Sequence, residues 1–187
     1  MNIKDLKILL ALGTASVIGL SAVHAQPQLA PFKVESTAFP DGGVVPEKYA
    51  MRGENVQPAF SFTGLPDNAV SIAIIFHDLD VSLGGGTDDV LHWTAWNIPV
   101  GAGGIPEGVL PEGSVSGNNI RNQPGYMGPG APAGERYHHY VFEFYALREN
   151  LDLDVSSTSR DDLLAAMEGK IAAKAAYVGR YRGTAQQ

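Results

Sequence analysis

Tyr137-His138-His139-Tyr140-Val141-Phe142-Glu143-Phe144-Tyr145-Ala146-Leu147 is the stretch whose period decides the fold. Side chains alternate across an extended strand, so His138, Tyr140, Phe142 and Phe144 share one face, and Tyr137, His139, Val141, Glu143 and Tyr145 share the other. The first row is aromatic and core-facing, which carries the polar tips of His138 and Tyr140 to the mouth of whatever encloses that core. His139 must point the other way.

Further strand-length apolar runs lie at 32–38, 58–63, 70–77 and 91–98. Between them come turn clusters such as Pro40-Asp41-Gly42-Gly43, Gly64-Leu65-Pro66-Asp67-Asn68 and Gly84-Gly85-Gly86. This alternation is the pattern of an all-β sandwich. The Gly- and Pro-rich region from Gly101 to Gly134 is long for a compact domain, and such loops are commonly functional. Part of it is expected to wrap over the site, with short strands inside it. One helix is expected: Ser159 and Asp162 form a capping box, and Leu163, Leu164, Met167, Ile171 and Ala175 recur at helical spacing. By strand period, His92, Thr94 and Trp96 should share a face, and so should Asp78 and Asp80.

The chain begins with a positive start at Lys4 and Lys7, an apolar run from Ile8 to Leu20 and a small-residue site at Val23-His24-Ala25. That is the form of a cleaved export signal over residues 1–25. Its apolar run is shorter than the roughly 20 residues a bilayer span needs, so no stable membrane insertion is expected after cleavage. Residues 26–31 read as a flexible lead-in and 32–187 as a single domain. Zero cysteines exclude both disulfides and a lipid-anchored cysteine. Periplasmic or secreted bacterial localisation follows as the expectation. After cleavage 11 basic residues face 19 acidic ones, which disfavours nucleic acid as a partner.

The chemistry-bearing residues fall in three places. Asp78 and Asp80, two apart at a strand end, could hold a cation, orient an imidazole, or simply cap a turn. His92, in an apolar strand, is either a satisfied core histidine or a ligand contact. Gly128-Pro129-Gly130-Ala131-Pro132 could cradle an anion through the N–H groups of Gly128, Gly130 and Ala131, or serve as a rigid connector. No Gly-x-Ser-x-Gly elbow and no His-Glu-x-x-His helix occurs.

Taken in order, these pieces resemble the phosphatidylethanolamine-binding protein family, in its bacterial Raf-kinase-inhibitor-like branch. The resemblance runs through Phe39-Pro40-Asp41-Gly42, Gly53-Glu54-Asn55-Val56-Gln57-Pro58, Asp78-Leu79-Asp80-Val81-Ser82, the His92-Trp93 strand with Asn97-Ile98-Pro99, Tyr126-Met127-Gly128-Pro129-Gly130-Ala131-Pro132, His138-His139-Tyr140 and Val178-Gly179-Arg180-Tyr181. It implies a mainly β, Greek-key sandwich with one C-terminal α-helix. It also implies a small cavity for phosphate, acetate or phosphoryl head groups, lined by Asp78, His92, Gly128, Gly130, His138 and Tyr140, with Asp80 and Tyr126 nearby. In this picture a carboxylate orients a histidine and favours its protonated form, so binding should weaken as pH rises.

Four departures from the family pattern stand out. Leu79, Val81 and Ser82 replace Pro-Ala-Pro, residues 84–89 are inserted, Ala131 replaces a proline, and His139 replaces an arginine, removing a permanent charge. The expectation is a non-catalytic binding protein for a small anionic or phosphorylated ligand, with no cofactor and no resident metal. Kinase regulation, a role of eukaryotic relatives, is not expected of an exported protein. The rivals are a metal-assisted hydrolase or proton-transfer enzyme using Asp78, Asp80, His92 and His138, and an inhibitor of a protease or other protein partner.

Overall fold

A computed structural model describes residues 31–134, 136–155 and 159–184, so the expected export signal over residues 1–25 and nearly all of the expected lead-in lie outside the described residues. The strands in chain order are β1 (Lys33–Glu35), β2 (Gly43–Val44), β3 (Phe60–Thr63), β4 (Ser71–Asp78), β5 (Val90–Pro99), β6 (Gly104–Ile105), β7 (Val115–Ser116), β8 (His138–Leu147) and β9 (Ile171–Tyr181). Among the described residues there is one α-helix, α1 (Arg160–Met167), between β8 and β9. Among the described residues no helix is long and apolar enough to cross a membrane.

Two sheets stack as a sandwich. The smaller has the order β1-β3-β6 and the larger β2-β9-β8-β4-β5-β7, in which β2 and β9 are parallel and the other pairs antiparallel. The inner core is aromatic. Phe60 of the small sheet meets Phe142, Phe144 and Tyr177 of the large one at centroid separations of 4.9, 5.1 and 5.6 Å. These tilted and edge-to-face contacts are the geometry ring quadrupoles favour.

The outer face of the large sheet is covered too. Leu163 and Met167 of α1 pack with Ala73, Ile75, Trp96, Tyr145 and Leu147. Strand β4, between β8 and β5, is therefore buried on both faces, which is why Ser71-Ile72-Ala73-Ile74-Ile75-Phe76 reads as a continuous apolar run.

Two expectations change. The helix stops at Met167, and Gly169, at φ 73°, turns the chain into β9, so Ile171 and Ala175 are strand residues rather than the end of a helical face. Alanines in that segment favour helix intrinsically, but ladder bonds to β8 on one side and β2 on the other outweigh a propensity of a few tenths of a kcal/mol per residue. The expected single face for His92, Thr94 and Trp96 is also broken. Opposite β4 the register skips a residue between the Phe76–Trp93 and His77–Leu91 pairs, so His92 is the bulged residue and turns to the inner face. Thr94 and Trp96 remain together near Gly117 on the outer side. Finally, the long loop region does hold short strands, β6 and β7, as anticipated.

Candidate functional site

The pocket opens at the end of the large sheet where β4 stops. Asp78, 3% exposed, is the last residue of that strand and pairs in register with Tyr140. Its Oδ1 accepts the Asp80 N–H at 2.9 Å, and its Oδ2 accepts from His138 Nδ1 at 2.9 Å. Two of the three readings of the acidic pair therefore describe Asp78, which caps a turn and orients an imidazole.

Tyr140 lies between the two histidines of the site. Its ring meets His92 edge-on at 5.2 Å and lies nearly parallel to His138 at 6.4 Å. Burial, with the neighbouring Asp78 carboxylate, pushes its phenol far above the usual range, so it stays protonated.

His92, 3% exposed, meets the Met127 carbonyl through Nδ1 at 2.8 Å. A carbonyl only accepts, so Nδ1 carries the hydrogen and a neutral ring presents Nε2 as an acceptor. Burial lowers the His92 pKa below 6.5, a shift that the Met127 carbonyl and the Asp78 charge offset only in part. The imidazolium expected of a carboxylate-bound histidine does not apply to this residue at neutral pH.

The glycines play a different part from the one their motif suggested. The Gly128 N–H donates to Asn55 Oδ1 at 2.8 Å, and the N–H groups of Gly130 and Ala131 donate to the Tyr140 oxygen at 3.2 and 3.0 Å. None of the three is left to cradle an anion. Glycine is required at 128 because a Cβ there would fall 2.2 Å from the Tyr49 carbonyl oxygen. The loop is zipped to the segment around Tyr49 by Tyr126 Oη to Tyr49 O at 3.0 Å and Met51 N–H to Pro129 O at 3.0 Å.

The structure thus brings together Asp78, His92, Gly130, His138 and Tyr140 around a cavity of about 260 Å³. Its apolar walls are Met51, Val81, Val90, Ile120, Met127, Ala131 and Pro132, with Arg121 at the edge. Gly128 and Tyr126 stand behind this wall as supports, Tyr126 stacking on Phe76 at 5.4 Å. Asp80 turns away. It binds the N–H and Nδ1 of His139 at 2.6 and 2.8 Å and pairs with Arg136. Burial alone would raise the Asp80 pKa, but these partners outweigh it and hold the group at about 2. Of the four residues assigned to a metal or proton-relay site, Asp80 therefore lies apart, while Asp78, His92 and His138 line one cavity. Among the described residues no group of three or more His, Asp or Glu side chains is placed to hold a metal.

Sequence reasoning missed Met51, Ile120 and Arg121. They lie in irregular backbone, where no periodicity marks a shared face. A second histidine cluster went unremarked as well. His77, adjacent to Asp78 but on the outer face, donates from Nδ1 to Asp89 at 2.6 Å, and Asp89 also takes Arg160 of α1 at 2.6 Å. Glu143 Oε1 lies 3.7 Å from His77 Nε2, an ion-pair distance longer than a hydrogen bond. Burial works to lower the His77 pKa, but the two carboxylates outweigh it and raise it above 6.5.

A two-sheet sandwich with a carboxylate, two imidazoles and a phenol around one end cavity defines the class: a β-sandwich whose polar site sits at the carboxyl end of its central strand. The chain belongs to the phosphatidylethanolamine-binding protein family, whose family model matches residues 35–182. It is 40% identical over 154 residues to the UPF0098 protein of Methanothermobacter thermautotrophicus, covering 80% of this chain and 97% of that one. It is similar to the crystal structure of a phosphatidylethanolamine-binding protein homolog from Chlamydia trachomatis, with TM-score 0.73, 30% identity, and coverage of 81% of this chain and 97% of that one. The crystal structure of E. coli YbcL, a member of the same family, has TM-score 0.75 at 26% identity, covering 83% of this chain and 100% of that one.

Proposed function

We propose that this protein is an exported, non-catalytic binding protein for a small anion or phosphorylated head group. The observation that carries the reading is the convergence of the Asp78–His138 pair, His92 and Tyr140 on one small cavity with otherwise apolar walls. A few fixed polar groups in an apolar hollow orient a small ligand, and the enclosed volume lies just under the range typical of drug-sized ligands. A net charge of -7 disfavours binding to nucleic acid.

Calorimetric titration of the mature protein with inorganic phosphate and with phosphoethanolamine tests the binding claim. Saturable heat that is lost in Asp78→Ala and in His92→Ala is the expected result. Absence of heat together with an unchanged melting temperature in the presence of either compound would sink the reading. Export is tested separately, by the N-terminal mass of the protein recovered from the periplasm or medium, expected to begin at Gln26.

A further inference from the structure

A second hollow, of about 530 Å³, has Tyr126 in its wall and shares no lining residue with the cavity at the end of β4. Its volume falls within the range that small-molecule sites occupy. It lies between the segment that precedes β3, the loop from β6 to β7, and the sheet edge where β5 meets β7. Val56, Val109 and Leu110 form aliphatic walls, and Trp93, meeting Tyr126 edge-on at 5.9 Å, forms an aromatic one. Val109 stands at the rim, 56% exposed.

The hollow is held open by fixed bonds rather than left by loose packing. The Gly108 N–H donates to the Gln57 carbonyl at 3.0 Å, and Gln57 Nε2 donates to the carbonyls of Pro106 at 2.6 Å and Pro58 at 2.9 Å. A Cβ at Gly108, where φ is 72°, would fall 2.8 Å from Val56 Cγ2, so this close approach of the two walls requires glycine. On the sheet side, Trp93 Nε1–H donates to Ser116 Oγ at 3.0 Å, which fixes the indole.

Gln57 is the residue that points to a ligand. It is 6% exposed, and both hydrogens of its amide nitrogen are committed to carbonyls. That also settles which end of the amide is oxygen, because the flipped amide would set oxygen against oxygen. Among the described residues Oε1 has no hydrogen-bond partner, and it is not sealed from the hollow that Gln57 lines. Buried polar atoms are normally paired, so an acceptor left open in this way calls for a donor from outside the chain. The one full charge among the lining residues is the exposed carboxylate of Glu54. Among the described residues it forms no ion pair, since Lys48, which feels its charge, pairs with Glu107 at 2.5 Å.

We propose that this hollow is a second binding site, for a small apolar cation of the arylalkyl-amine class, with its ammonium on Gln57 Oε1 and Glu54 and its hydrocarbon body against Val56, Val109 and Trp93. An ammonium brings the N–H donors that Gln57 lacks and the charge that Glu54 attracts. Aromatic walls favour the same sign, because a ring face is the negative side of its quadrupole. A carboxylate of equal size would bring neither donor nor attraction.

The test is a titration of the mature protein at neutral pH with benzylamine and, separately, with benzoate, followed by the indole N–H signals in nitrogen-15 NMR. The chain has two tryptophans, and Trp96 lies in the outer core away from the hollow, so its signal is an internal control. Benzylamine is expected to move the Trp93 signal saturably, with a Kd of about 1 mM as suits so small a ligand, and to leave Trp96 still. Benzoate should not move it. Val109→Lys sets a cation at the exposed rim and should weaken benzylamine about tenfold with an unchanged melting temperature. Glu54→Gln, also at an exposed position, should weaken it about threefold, the usual scale for a solvent-exposed ion pair. A Trp93 signal that stays still at tens of millimolar benzylamine overturns the proposal. So does equal movement with benzoate, or full benzylamine affinity in Val109→Lys.

Discussion

Asp78 decides the geometry of the pocket at the scale of single residues, because one buried carboxylate accepts both the Asp80 N–H and the His138 ring. Replacing it with alanine leaves a half-buried imidazole hydrogen and a turn N–H without their acceptor. The expected destabilisation is about 1–3 kcal/mol, read from urea melts. His77 and His92 should titrate on opposite sides of 6.5, His77 above and His92 below. Imidazole nitrogen NMR checks that order directly.

The stability consequences have opposite signs. A raised folded pKa makes the His77 contribution complete below 6.5 and lost as pH rises through its folded value. A lowered one makes the His92 contribution complete above 6.5 and lost as pH falls toward its folded value. His77→Gln should therefore flatten the loss of stability on the alkaline side and leave the acid side unchanged.

Among the elements, the Gly128 loop is the most exacting. A Cβ at that position meets backbone at 2.2 Å, so Gly128→Ala must push the loop from the Tyr49–Met51 segment. The expected cost is about 1–3 kcal/mol with weakened ligand binding, measured by denaturant titration and calorimetry on the same sample. Most of the strands were legible, because β4, β5 and β8 carry long apolar or alternating runs that burial imposes directly. That His138 and Tyr140 share a face was legible for the same reason, since two-residue periodicity tells which side chains lie together, whereas Asp78 joined them only through the family resemblance. What failed had a different cause. Ile171–Tyr181 is a strand because of its neighbours in space, and one bulged residue re-aimed His92, neither of which leaves a local mark. The pocket-lining Arg121 and Met51 sit on irregular turns, so only the folded chain reveals their meeting.

For the molecule as a whole, β9 is the piece that joins distant parts of the chain. It lies between β8 and β2, and it holds the early segment through Gly42 N–H to Val178 O at 2.8 Å, Val178 N–H to Asp41 Oδ1 at 2.8 Å and Tyr181 Oη to Glu47 Oε2 at 2.8 Å. A chain ending at Lys170 should lack cooperative unfolding and near-ultraviolet circular dichroism, because β8 loses its partner and β2 has nothing to pair with. Retention of a sharp melt by that truncation would show the sheet to be complete without it.

The late position of β9 also sets the timing of assembly. Contacts between residues near 42 and residues near 178 close a very long loop, and such pairings form slowly. A nascent chain emerging from the ribosome cannot seat its first hundred and seventy residues until the remaining stretch has been synthesised. Under the proposed export of this protein, that delay would keep the polypeptide threadable until it reached the secretion machinery.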